Sequence, residues 1–175
     1  MPVLVILALL AGCQGGAVRR AAVQGNRLLE QGRLQEALSV YRAAQRQHPE
    51  AAVLRTGEGV ALYRLERYDE AEAALREAIR LDASDSNEFL YLGHVLSRQK
   101  SLPEAAQAYQ EATRLDPLDP RGWKALGFTE YNRRRYPQAR IALEKYLAFA
   151  RGAADEIAIS QLVSSLPRGA APDSD

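Results

Sequence analysis

Cys13 is the only thiol in this chain, and the residues before it set what that thiol can do. Pro2-Val3-Leu4-Val5-Ile6-Leu7-Ala8-Leu9-Leu10-Ala11-Gly12 carries no charge. The run is shorter than the roughly 20 apolar residues that cross a bilayer. It has the length of a signal-peptide core. With no second cysteine, an internal disulfide is excluded. The two histidines, His48 and His94, do not stand at metal-ligand spacing. Gly57-Glu58-Gly59 opens like a dinucleotide fingerprint but has no third glycine and no preceding strand. No nucleophile motif and no Ser-His-Asp set can be assembled. The chain therefore reads as a non-enzyme that needs no cofactor and no metal.

Leu10-Ala11-Gly12-Cys13 resembles a bacterial lipobox. That resemblance implies a lipoprotein signal peptide over residues 1–12, cleavage before Cys13, and a diacylglycerol on its sulfur. Residues 13–17 become the lipidated cysteine and a short linker. Each buried CH₂ of an acyl chain contributes about 0.8 kcal/mol to anchoring. Gln14, rather than Asp, follows the cysteine and implies the outer membrane, with the protein on its periplasmic face. No Lys or Arg precedes the apolar core, a departure from the usual signal.

The remaining residues must provide a scaffold, and their composition, 47% hydrophobic and 26% charged, suits a folded domain rather than a disordered one. A net charge of +1 gives no global field for nucleic acid or an anionic surface. Small residues recur at a fixed interval of 34: Gly25, Gly59, Gly93 and Gly127, and likewise Ala37, Ala71, Ala105 and Ala139. Tyr41, Leu75, Tyr109 and Leu143 keep the same spacing. A period of this length means stacked helical hairpins. Gly and Ala leave no side chain where two helices cross, and the large residue fills the space beside them.

These positions together resemble the tetratricopeptide repeat. The resemblance divides 18–153 into units 18–51, 52–85, 86–119 and 120–153. It implies an all-α, right-handed α-solenoid. Second helices are predicted from Gln35, Asp69, Pro103 and Pro137, with Pro tolerated in a first turn. Asp85 and Asp119 are the expected N-caps of the third and fourth units. Glu66-Arg67-Tyr68, Lys100-Ser101 and Arg133-Arg134-Arg135 form the turns. Residues 154–166 are read as a capping helix, with Ile159, Leu162 and Val163 on one side. Residues 167–175 are read as a disordered tail.

In this family the first helices line a concave face. Carried onto this chain, the contact positions include Asn26, Thr56, Tyr63, Arg64, Asn87, Leu90, His94, Arg98, Arg121, Lys124, Phe128 and Tyr131. Over all twenty such positions Arg19, Arg64, Arg98, Arg121 and Lys124 face a single acid, Glu30. The groove is therefore expected to be basic, with aromatic contacts at Tyr63, Phe128 and Tyr131. Such a strip suits an acidic peptide segment or the C-terminus of a membrane protein. The expected function is a membrane-anchored adaptor with a protein partner and no nucleic acid. The chain looks like pilotin-type and tight-adherence lipoproteins of pilus and secretion assembly. The alternative is an envelope scaffold that recruits peptidoglycan enzymes or supports outer-membrane barrel assembly.

Overall fold

The computed structural model describes the backbone of residues 3–167 and the side chains of residues 15–167. The expected signal peptide and the acylated sulfur of Cys13 rest on side chains outside that range, as does most of the expected tail. Among the described residues there are nine helices and no strand. They are α1 (Val3–Glu30), α2 (Leu34–Gln45), α3 (Ala52–Arg64), α4 (Tyr68–Leu81), α5 (Ser86–Arg98), α6 (Leu102–Leu115), α7 (Pro120–Asn132), α8 (Tyr136–Phe149) and α9 (Glu156–Ser165). The fold is all-α and built of tetratricopeptide-like helical hairpins. The second helices begin at Leu34, Tyr68, Leu102 and Tyr136, one residue before the positions predicted from sequence.

The chain forms two compact units, Met1–Ala83 and Ser84–Asp175. In the first, α1 packs on α2 and α3, and α3 packs on α4. In the second, α5 packs on α6 and α7, α7 on α8, and α8 on α9. Ala37, Ala71, Ala105 and Ala139 are fully buried. The glycines explain why. A Cβ added at Gly59 would stand 2.6 Å from Leu75, and one at Gly127 would stand 2.6 Å from Leu143. At Gly25 and Gly57 it would run into the Tyr41 ring, and at Gly93 into Tyr109.

One turn geometry is used four times. Gly32, Glu66, Lys100 and Arg134 all sit at positive φ, between 60° and 73°. The next residue in each case donates its N–H five residues back, as in Ser101 to Leu96 O and Arg135 to Glu130 O, both 2.9 Å. This is a Schellman ending, which satisfies carbonyls that the helix leaves open. Asp85 and Asp119 cap α5 and α7 by accepting from the backbone N–H of Asn87 and Arg121, each at 2.9 Å. Arg33 and Arg67 occupy the equivalent places before α2 and α4 without capping, and instead pair with Glu36 and Glu70.

The last helix closes on α8. Ile159, Val163 and Leu166 join Ala139, Leu143 and Tyr146 in one cluster, with Leu162 partly buried against it. Arg140 donates to the carbonyls of Val163 and Leu166, at 3.0 and 2.9 Å, and so holds the end of α9.

Candidate functional site

In the first unit the candidate contact residues are tied into the fold. Tyr41 is fully buried, and burial pushes its hydroxyl up to about 12. A buried hydroxyl needs a partner, and Tyr41 donates to Asn26 Oδ1 at 2.6 Å. Thr56 donates to Ala52 O at 3.1 Å within its own helix. Tyr63 packs against Tyr68 with ring centres 6.1 Å apart. Arg64 is exposed, yet its guanidinium donates to Leu29 O and ties α3 to the end of α1.

The second unit holds a cleft of about 540 Å³ between α5, α6 and α7. Four candidates line it: His94, Arg121, Lys124 and Phe128. Ser97 and Asn132, also groove positions by the family resemblance, join them. The floor includes Tyr109 from α6, a residue that sequence spacing marks only as packing. Its hydroxyl lies 2.8 Å from His94 Nδ1 and 3.3 Å from Ser97 Oγ. The His94 ring meets Tyr109 and Tyr91 edge-on, at 5.5 and 5.8 Å. Burial, then the charges of Arg121 and Arg98, lower the His94 pKa below its ordinary 6.5. The imidazole is therefore neutral at pH 7.

Asn26 with Tyr41 and His94 with Tyr109 occupy equivalent places, fifteen residues apart in each case. Where the later position is leucine, at Leu75 and Leu143, the earlier one is Val60 and Phe128. A polar partner stands only where a tyrosine hydroxyl must be satisfied. That accounts structurally for Asn26 and His94 before any ligand is invoked.

Both cations of the cleft are already paired. Arg121 lies 2.7 Å from Asp119 and donates to Asn87 Oδ1 at 3.0 Å. Burial alone would raise the Asp119 pKa, but the Arg121 hydrogen bonds prevail and lower it. Lys124 lies 2.5 Å from Asp155 and 5.4 Å from the centre of the Tyr146 ring. Asp155 also accepts from the Tyr146 hydroxyl at 2.6 Å. The Lys124 hydrogen bond, then that of Tyr146, lowers the carboxyl of Asp155. The Asp155 hydrogen bond in turn pushes Tyr146 up to about 12. The expected bare basic strip is corrected here: two carboxylates that no groove position contains sit against two of its cations.

The other candidates separate. Leu90 is 3% exposed, a core residue and not a contact, because an apolar side chain at the helix edge turns inward. Phe128 and Tyr131 are 36% and 38% exposed, and Tyr131 packs edge-on against Tyr136 at 5.7 Å. Arg98 is exposed on α5. Among the described residues no cluster of three or more His, Cys, Asp or Glu could hold a metal ion. Among them, too, no helix is long and apolar enough to cross a membrane.

The family model for the tetratricopeptide repeat matches residues 23–86 and 90–155. No curated protein matches the sequence. Solved structures are similar in fold. The pilF protein of Pseudomonas aeruginosa superposes with a TM-score of 0.79 at 23% identity, over 86% of this chain and 68% of that one. YrrB, described as having an unusual peptide-binding site, gives 0.69 at 23% identity, over 83% and 75%. The first such domain of Spaghetti (RPAP3), bound to the HSP90 peptide SRMEEVD, gives 0.65 at 23% identity, over 68% and 94%.

Proposed function

We propose that this chain, which belongs to the tetratricopeptide repeat family, is a lipid-anchored adaptor that holds a short segment of a partner protein in the α5–α7 cleft. Proteins of this family mediate protein and peptide interactions, and relatives of the same fold bind peptides. The observation that carries the reading is the composition of the cleft. Arg121 and Lys124 flank an aromatic floor and wall of Tyr109 and Phe128. Arginine and aromatic residues are favoured contact anchors. A partner carboxylate can exchange with Asp119 or Asp155, so the ligand is an acidic segment or a free C-terminus.

The anchor is the Cys13 thioether, which places the protein on the periplasmic face of a bacterial outer membrane. The client is a component of pilus or secretion assembly, a reading supported by the lipobox-like sequence and by likeness in fold to pilF. The experiment is affinity purification from detergent-solubilised envelope, comparing the parent chain with Arg121→Gln and with Lys124→Gln. The partner should be lost from both variants while their circular dichroism is unchanged. Retention of the partner by both would remove the cleft from the account. Cys13→Ser tests the anchor separately, since it should abolish incorporation of labelled palmitate into the protein.

A further inference from the structure

We infer that the outer face of α1 rests on an anionic phospholipid surface through Arg19, Arg20 and Arg27. The three arginines are exposed, and Val23 among them is 62% exposed. Spacings of three, four and seven residues put Arg20, Val23 and Arg27 on one helical face, with Arg19 beside them. Glu30 is the only acid between Gly15 and Glu30.

What marks this face is three neighbouring arginines without a carboxylate partner. Elsewhere in the first unit Arg33, Arg42, Arg55, Arg67, Arg76 and Arg80 each pair with a glutamate. Among the described residues Arg19, Arg20 and Arg27 pair with none. Val23 gives this face an exposed apolar side chain among the guanidinium groups. Arginine beside exposed apolar area is the arrangement of an interfacial helix, with stems lying along the acyl boundary and guanidinium groups among phosphates.

The continuity of the helix favours a bilayer over a soluble acidic partner. α1 runs unbroken from Val3 to Glu30, and its sequence carries no charge before Arg19. Resting on the proposed anchor at Cys13, the arginines are the first charges after it, six to fourteen residues along the same helix. From Arg19 to Arg27 the helix advances only about 12 Å, so one flat surface can meet all three. Each arginine near an anionic leaflet strengthens binding about fivefold. This attraction does not require the acyl chain.

The test uses the full chain carrying Cys13→Ser, which removes acylation, and co-sedimentation with vesicles. Phosphatidylcholine vesicles are compared with vesicles containing about a third phosphatidylglycerol. Binding should be stronger to the anionic vesicles. Arg19→Gln/Arg20→Gln/Arg27→Gln should reduce that binding roughly a hundredfold, from the per-residue contribution. Arg46→Gln/Arg134→Gln/Arg135→Gln, with the same change in net charge, should retain it. Equal binding to both vesicle types would overturn the inference, as would an equal loss in the control triple. Capture of a DNA duplex with the same affinity and the same arginine dependence would assign the face to nucleic acid instead. None of these outcomes touches the cleft, whose partner is read by purification.

Discussion

Tyr109 does two jobs at one place. Its ring fills the space that Gly93 leaves open, and its hydroxyl meets His94 and Ser97 on the cleft floor. Gly93→Ala should therefore both overpack the crossing and displace the cleft floor, with a stability loss of about 1–3 kcal/mol. Gly15→Ala is the contrast. It lies in a helix with nothing within 4 Å of the added carbon, and should stabilise by about 0.5–1 kcal/mol. Thermal unfolding of the two variants reads both signs. His94 gives a pH signature. Its folded pKa lies below the ordinary 6.5, so the unfolded chain takes up the proton first as pH falls. The stability from neutral His94 is complete above about 6.5 and is lost as pH drops through its lowered folded value. Subtracting the melting profile of His94→Gln from that of the parent, between pH 8 and pH 5, should expose this loss. A constant difference would mean that His94 does not titrate differently on folding.

At the scale of the helices, the turn position is used without glycine in three cases out of four. Gly32 adopts positive φ freely, whereas Glu66, Lys100 and Arg134 must hold a conformation costing an L-residue roughly 1–2 kcal/mol. Lys100→Gly should raise stability by about 0.5–1 kcal/mol after the added unfolded-state entropy is discounted. Gly32→Ala should lower it. Urea midpoints measure both. The closing helix offers a second case: Ile159 is buried in the α8–α9 cluster, so Ile159→Ala should cost about 2–5 kcal/mol. The helices were legible in the sequence because Gly, Ala and the large residue at each crossing repeat every 34 positions, and packing leaves little choice there. The cleft was legible only in part. The resemblance to the repeat family points to the faces of α5 and α7, hence His94, Arg121, Lys124 and Phe128. It does not find Tyr109, whose hydroxyl matters only after α6 is packed against α5. Nor does it find Asp155, which lies beyond the four repeats and reaches Lys124 only because α9 folds onto α8.

Over the whole molecule the net charge of +1 provides almost no long-range steering, so selectivity must come from local charge. In the second unit the local charge is already balanced, since Asp119 and Asp155 hold the two cations of the cleft. An acidic ligand has to replace a carboxylate that the protein itself supplies, and affinity is set by that exchange rather than by the bare charge of Lys124. Asp155→Asn isolates this effect. It keeps an acceptor for the Tyr146 hydroxyl while removing the charge opposite Lys124. Binding of an acidic heptapeptide with a free C-terminus, followed by fluorescence anisotropy, should then strengthen roughly two- to fivefold, the range of an exposed ion pair. Raising the salt concentration should shrink the gain, because an exposed charge is screened within about 10 Å at 0.1 M. A peptide that binds parent and Asp155→Asn equally well, at low salt and at high, does not use Lys124. The acidic-ligand reading would then lose its main support in this unit.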